Sequence, residues 1–252
     1  MEFRKKTIWI VGIFVAFLFP LHAFAEEGDD YYPFEIEIMG GINHTNSAGG
    51  SISFEAGEYD TLHETSDNND GIWGFGVGYG LPFFDEEDDD GIFRDLLIGL
   101  DLLFFNVDRE GEVYQGGQPE LNNYNYLLEL RTSRLMFNTE LDFFPEWEWV
   151  FPYIQASAGI ARVDATYSDT PVPGIGGGAI SLPQHTNYNF AYSFGAGLKF
   201  LIMEELQLSV SYLYSDLGDV KTSSDSENAD LTNPITGELR TSSGLVGLSY
   251  LF

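Results

Sequence analysis

The stretch YNFAYSFGAGLKF, residues 188–200, alternates without a break. Tyr188, Phe190, Tyr192, Phe194, Ala196, Leu198 and Phe200 share one parity; Asn189, Ala191, Ser193, Gly195, Gly197 and Lys199 share the other. Successive side chains of a strand point to opposite faces, so this segment has one greasy face and one small or polar face. The next segment repeats the pattern, with Leu206, Leu208, Val210, Tyr212 and Tyr214 against Glu205, Gln207, Ser209, Ser211 and Ser215. A soluble sandwich would alternate as well. Here the apolar parity is enriched in Tyr and Phe toward the strand ends, where amphipathic rings suit a lipid interface. The other parity carries Gly, Ser and Asn instead of long charged chains, which fits lipid outside and a narrow interior.

The same test applied along the chain gives eight strands: 34–42, 71–81, 95–106, 126–143, 150–164, 187–200, 205–216 and 239–252. The fold class expected is therefore all-β, an eight-stranded antiparallel up-and-down transmembrane barrel, and the even count suits a single-chain bacterial barrel. In the second strand Trp73, Phe75, Val77, Tyr79 and Leu81 alternate with Gly74, Gly76, Gly78 and Gly80. Four glycines on one face weaken a strand unless large neighbours crowd that face, and an interior holding Phe105 supplies such crowding. The fourth strand breaks pattern: Tyr126, Leu128 and Leu130 have one phase, Leu135, Phe137, Leu141 and Phe143 the other. Either a bulge sits near Thr132-Ser133, or the membrane begins at about Arg134 and the strand continues above it as part of an extracellular hairpin.

The amino end reads as a secretory signal. Arg4, Lys5 and Lys6 precede an apolar run from Ile8 to Phe19, and Ala23-Phe24-Ala25 has the small-x-small pattern of a cleavage site. Twelve apolar residues reach only about 18 Å as a helix, short of the ~30 Å hydrocarbon core. The domains expected are residues 1–25 as signal peptide and 26–252 as barrel. Without the signal, 39 acidic residues face 8 basic ones, a net charge of −31, which makes nucleic acid an implausible partner. Aromatic residues make up 15% and glycines number 28, a composition foreign to disorder. Cysteine is absent, so no disulfide framework is available.

Connections alternate in length. Residues 43–70, 107–123, 167–186 and 217–238 are long; 144–149 and 201–204 are short, as expected of external loops and periplasmic turns. Trp147 and Trp149 should mark the periplasmic interface, and the lipid belt should include Tyr188, Phe190, Tyr192, Phe194, Tyr212, Tyr214, Tyr250 and Phe252. The connection 82–94 is less regular, with the run Asp85-Glu86-Glu87-Asp88-Asp89-Asp90. Counting from Glu86 as a first calcium ligand puts Leu97 where a bidentate Glu is needed, so the calcium-loop motif fails and a solvated acidic turn is the plainer reading.

The chain ends Leu248-Ser249-Tyr250-Leu251-Phe252, and residues 191–220 read AYSFGAGLKFLIMEELQLSVSYLYSDLGDV, with Tyr212, Tyr214, Asp216, Leu217 and Gly218 forming a Tyr-x-Tyr-x-Asp-Leu-Gly sequence. This hairpin resembles the last hairpin of small barrels in the OmpA-type and opacity-type surface-protein superfamily. The resemblance implies that Leu248, Tyr250 and Phe252 are the terminal signature the barrel-assembly machinery recognises. It further implies a monomeric barrel-only surface protein in outer-membrane lipid and lipopolysaccharide, with no soluble peptidoglycan-binding domain after Phe252.

Eight strands enclose an interior just filled by side chains, so a wide aqueous pore is disfavoured. Inward positions include Glu35, Glu37, Asp101, Arg134, Glu140 and Lys199, and such charges must pair or be wetted. They form either a structural polar core or, as the resemblance suggests, a charge-paired gate. After cleavage His44, His63 and His185 remain, none at the spacing of the lipase-type or acyltransferase-type barrels, so no enzyme, cofactor or metal site is expected. The first three long connections hold eleven acids and one base. Loops on a rigid scaffold are where binding residues concentrate. The leading function is a surface role, structural or in adhesion and recognition of an extracellular ligand or host surface. The alternative is a narrow OmpW-like channel for small or hydrophobic solutes.

Overall fold

A computed structural model describes residues 33–47, 50–54, 59–65, 69–82, 92–143, 149–225 and 231–252. The expected signal sequence, the acidic run at 85–90 and Trp147 lie outside the described residues. Among the described residues there are eleven strands: β1 (Phe34–Ser47), β2 (Ser51–Phe54), β3 (Tyr59–Glu64), β4 (Asn69–Pro82), β5 (Phe93–Gln115), β6 (Asn122–Phe143), β7 (Val150–Pro171), β8 (Ser181–Met203), β9 (Leu206–Lys221), β10 (Leu231–Asn233) and β11 (Thr236–Leu251).

Eight of them close a ring, β1-β4-β5-β6-β7-β8-β9-β11, each antiparallel to its neighbours, with β11 returning to β1. Closure is tied off where the main chains of Phe34 and Phe252 exchange hydrogen bonds of 3.0 and 2.9 Å. The Phe34 ring meets Tyr79 at 5.0 Å and Phe252 at 5.7 Å, while Phe93 meets Phe143 at 5.4 Å and Trp149 meets Phe200 at 6.3 Å. These rings girdle the end of the barrel where Phe34 and Phe252 meet, the periplasmic end of the expected orientation.

Each expected strand corresponds to one ring strand, but most run further than the alternation suggested. β5 continues to Gln115 and β6 begins at Asn122, so the segment 107–123 is mostly hairpin; likewise β7 reaches Pro171, β8 starts at Ser181, and 43–70 contains β2 and β3. The reason is a change of polarity that period-two reading at one level cannot follow. Along β5 the outward positions are Leu96, Ile98, Leu100, Leu102 and Phe104, then Asn106, Asp108, Glu110 and Glu112; the inward ones pass from Asp101 to Leu103, Phe105, Val107 and Val113. Residues 96–104 span about 27 Å of strand, or about 20 Å of height at a tilt near 40°, most of the ~25 Å apolar band of such barrels. Below Phe104 the barrel is apolar outside and carries charged side chains in its lower lumen; above Asn106 it is polar outside and largely apolar inside, with Arg109 as a buried exception.

β6 obeys the same rule, which resolves its conflicting phases. Tyr126, Leu130, Arg134, Met136 and Glu140 are buried on one parity while Leu135 and Phe137 are exposed on the other, and the pairing with β7 runs unbroken from Tyr124 to Asp142. No bulge occurs at Thr132-Ser133; the strand simply leaves the membrane there.

Above the membrane β3 takes over from β4 beside β5, pairing Asp60 with Gln115 through Glu64 with Gly111; β2 pairs with β3, and β10 with β2. β8 and β9 diverge beyond Tyr192 and Asp216. The divergence is set by Gly218 at φ 77, whose N–H donates to Asp216 Oδ1 at 3.0 Å. Asn189 Nδ2 then donates to the carbonyls of Leu217 and Asp219, and Asn187 Nδ2 to that of Lys221, so two side-chain amides replace the ladder. The Asp-Leu-Gly element is thus the hinge between membrane barrel and extracellular lobe.

Candidate functional site

All six charged positions expected to face inward lie on the inner parity of their strands. Lys199 of β8 makes ion pairs with Glu140 and, at 3.2 Å, with Asp142 Oδ2 of β6, and lies 4.0 Å from Glu35 Oε2 of β1. These side chains are at most 8% exposed, which makes their pairing obligatory. The ammonium also stands 5.4 Å from the centre of the Tyr153 ring. Glu37 accepts a 2.6 Å hydrogen bond from Ser209. Asp101 is packed over Gly76, where an added Cβ would come within 2.7 Å of its Oδ1; the glycine face of β4 exists to admit such neighbours. Higher up, Arg134 donates to Ser193, at 3.4 Å, and to Ser215.

Asp142 was not among the residues anticipated, although it shares the parity of Arg134 and Glu140; extending the alternation by one position would have found it. Beneath the cluster a vestibule of about 290 Å³, lined by Glu35, Arg94, Asp95, Asp142, Lys199 and Gln207 among others, faces the periplasmic end. The void within the charged layer is about 20 Å³, room for about one water molecule.

From Met136 upward the lumen is filled by an apolar cluster that includes Leu103, Phe105, Leu130, Val163, Leu213 and Leu245. A second cluster continues it into the lobe: Ile52, Leu62, Val113, Tyr126, Tyr167, Ile180, Leu182 and Ile235, supplied by β2, β3, β5, β6, β7, β8 and the β9–β11 connection. Each fully buried aliphatic side chain of this core contributes roughly 1.5–3 kcal/mol. Burial in the lobe pushes the Tyr126 phenol up to about 12. Burial and the neighbouring Asp169 push the Tyr167 phenol up as well. Burial raises the Asp169 carboxyl too, against an opposing hydrogen bond from the Ile180 N–H at 2.7 Å.

Leu248, Tyr250 and Phe252 lie along one parity of the last strand, Leu248 exposed on the lipid face and the Tyr250 and Phe252 rings stacked at 6.2 Å. The expected belt residues Tyr188, Phe190, Tyr192, Phe194 and Tyr212 are exposed, as is Trp149. The histidines are scattered. His44 Nδ1 lies 3.2 Å from Asn69 Oδ1, His63 stacks on Tyr114 at 5.2 Å, and His185 is exposed on the upper part of β8.

The chain is similar to several known proteins. Outer membrane protein PagN of Salmonella typhimurium is 26% identical over 226 residues, covering 84% of this chain and 90% of PagN. The crystal structure of OprG from Pseudomonas aeruginosa matches with a TM-score of 0.43 at 15% identity over 88% of this chain and 97% of OprG. That of Ail from Yersinia pestis, in complex with the heparin analogue sucrose octasulfate, matches with a TM-score of 0.37 at 15% identity over 87% of this chain and 99% of Ail. The family described as outer membrane protein beta-barrel domain matches residues 12–252. With its closed eight-strand ring and lipid-facing belt, the chain belongs to that family and is an integral β-barrel protein of the bacterial outer membrane.

Proposed function

We propose that the protein works through its extracellular lobe as a non-enzymatic recognition or adhesion protein, with the membrane barrel as its anchor. The observation that carries this reading is the inverted polarity above Asn106: the outer parts of β5, β6, β7 and β8, with β2, β3 and the β9–β11 connection, build an apolar-cored lobe outside the membrane, holding a polar surface toward the exterior. Such a scaffold presents binding residues with little ordering cost. In this reading residues 1–25 direct export. Glu35, Glu37, Asp101, Arg134, Glu140 and Lys199 form a structural polar plug, and Leu248, Tyr250 and Phe252 serve barrel assembly. The isolated settings of His44, His63 and His185 support a non-catalytic role.

The vestibule below Lys199 favours one second reading, a small conductance opened by parting Lys199 from Glu140. A single experiment separates the two. Cells displaying the protein, or a variant whose hairpin tips 116–121 and 172–179 are replaced by short turns, are scored for attachment to a host-cell monolayer, and both proteins are reconstituted for liposome flux. Recognition predicts attachment that the tip replacement abolishes while the barrel keeps its heat-modifiable mobility. Attachment no better than that of cells lacking the protein, together with flux that survives the replacement, would establish the channel instead.

A further inference from the structure

We propose that the distal end of the lobe is a docking face for a cationic, amphipathic polypeptide segment of a partner protein, with Tyr59, Leu121 and Ile175 as its apolar anchors. The proposal rests on the recognition reading and gives it a chemistry. Among the described residues, large apolar side chains exposed above the lipid belt are Tyr59, Leu121 and Ile175, at 52%, 41% and 41%. They come from three separate segments that the topology brings together, because β3, β5, β6 and β7 are consecutive neighbours at their outer ends.

Specific contacts fix these ends. The Gly116 N–H donates to Asp60 Oδ1 at 3.1 Å, and the Tyr59 ring lies so close over Gly117 that a Cβ there would meet it at 3.2 Å. Gly117 has φ 68, so both its conformation and its lack of a side chain serve this packing. On the other side, the Val172 N–H donates to the Asn123 carbonyl at 2.9 Å, tying the β7–β8 hairpin to the base of the turn Pro119–Leu121. Exposed anchors on tied backbone lose little freedom on binding.

Charge selects the occupant. Segments 50–65, 110–130 and 163–186 contain no Lys or Arg; Asp60 follows Tyr59, Glu120 precedes Leu121, and Glu112, paired with His63, lies lower on the same flank of β5. A sulfated glycan or an anionic membrane surface would be repelled by that rim, as by the chain's net charge of −29. Carboxylates around an aromatic and two aliphatic anchors fit Lys or Arg side chains flanking apolar ones, the pattern of an amphipathic basic segment.

The test uses the full-length protein in lipid nanodiscs, with a short synthetic peptide of alternating Lys and Leu as probe, read by fluorescence anisotropy, and heparin as the polyanionic comparison. Two variants alter the face, Y59S/L121S/I175S and D60N/E112Q/E120Q. A third, D108N/E129Q, neutralises two carboxylates paired directly across β5 and β6 nearer the membrane. All substituted side chains are at least partly exposed, and heat-modifiable mobility verifies each barrel. The expected result is saturable peptide binding that each distal variant weakens about tenfold or more and the third leaves within about twofold, with no heparin binding. Equal weakening by D108N/E129Q, undiminished binding by Y59S/L121S/I175S, or preferential heparin binding would overturn the proposal. Attachment that depends on the hairpin tips yet tolerates both distal variants would sink this face alone; attachment indifferent to the tips would sink the recognition reading itself.

Discussion

Arg109 Nε lies 3.0 Å from Glu64 Oε1, and Arg109 Nη2 donates to the Thr45 carbonyl at 3.1 Å, so one guanidinium that is 1% exposed joins β5 to β3 and to the outer end of β1. It lies where the membrane barrel hands over to the lobe, beside a small void lined by Leu62, Tyr126, Leu130 and Leu239. Arg109→Met removes the charge while keeping much of the volume, and leaves Glu64 without its buried cation. Breaking such a pair costs roughly 3–5 kcal/mol in a dry interior, and about half that here, because the Glu64 side chain is 21% exposed. Limited proteolysis in nanodiscs should cut the segment carrying β2 and β3 faster in the variant, with the membrane barrel retaining its mobility shift. Unchanged cleavage would mean that the apolar core alone holds this segment.

At the periplasmic end the decisive cation is Lys199, which faces Glu140, Asp142 and Glu35 at once. Lys199→Met leaves three buried carboxylates facing one another and should lower stability by roughly 3–5 kcal/mol. The double variant Lys199→Met/Glu140→Gln should lose less than the single one, because it removes an orphaned charge together with its partner. Urea unfolding in lipid vesicles measures both, and equal losses would show that water already screens this layer.

The membrane barrel was legible because alternation reports two faces directly. Residues 188–200 give both the lipid belt and the position of Lys199, and the parity of Glu35, Arg134 and Glu140 follows in the same way. The lobe was not legible, because period two specifies which residues share a face but not which face meets water. Tyr126, Leu128 and Leu130 sit on the inner parity throughout, and only the level of the membrane turns their phase from an apparent fault into a soluble-type core. β2, β3 and β10 hold 4, 6 and 3 residues, too few for alternation to register, and Tyr59, Leu121 and Ile175 are single apolar residues in polar segments. Arg109 fell in a stretch read as a loop, where an isolated base among acids gives no sign of burial.

Val210 tests the assigned faces most directly. It is 44% exposed on the lipid side of β9, paired with Leu198 on one side and Val246 on the other, both also exposed. Val210→Arg places a charge near the middle of the hydrocarbon and should cost about 2–4 kcal/mol in reversible unfolding from lipid vesicles. Asp219→Arg, on the same strand but above the hinge at Gly218 and exposed, should cost far less. A negligible loss for Val210→Arg would put the membrane at a different level of the barrel.

Asp169 makes the stability of the lobe depend on pH in a direction opposite to that of a surface carboxylate. It is 5% exposed, accepts the Ile180 N–H at 2.7 Å through Oδ1 and the Tyr167 hydroxyl at 3.4 Å through Oδ2, and burial raises its pKa above the ordinary value of 3.8. A raised folded-state pKa means that the folded lobe holds this proton more tightly than the unfolded chain does. Its contribution is therefore most favourable below about pH 3.8 and is lost as pH climbs from 3.8 through the raised value, leaving a constant penalty at neutral pH. Asp169→Asn keeps an oxygen for the Ile180 N–H and presents an N–H₂ to the Tyr167 oxygen, so it removes the ionisation at the cost of the long 3.4 Å bond that the Tyr167 hydroxyl donates. Hydrogen exchange of the β7–β8 hairpin, followed from pH 4 to pH 8 after correction for intrinsic rates, should show protection falling with pH in the parent and staying flatter in the variant, which should be the better protected of the two at pH 7. A variant less protected than the parent at pH 7 would mean that the carboxylate is stabilised by its two donors by more than burial costs it.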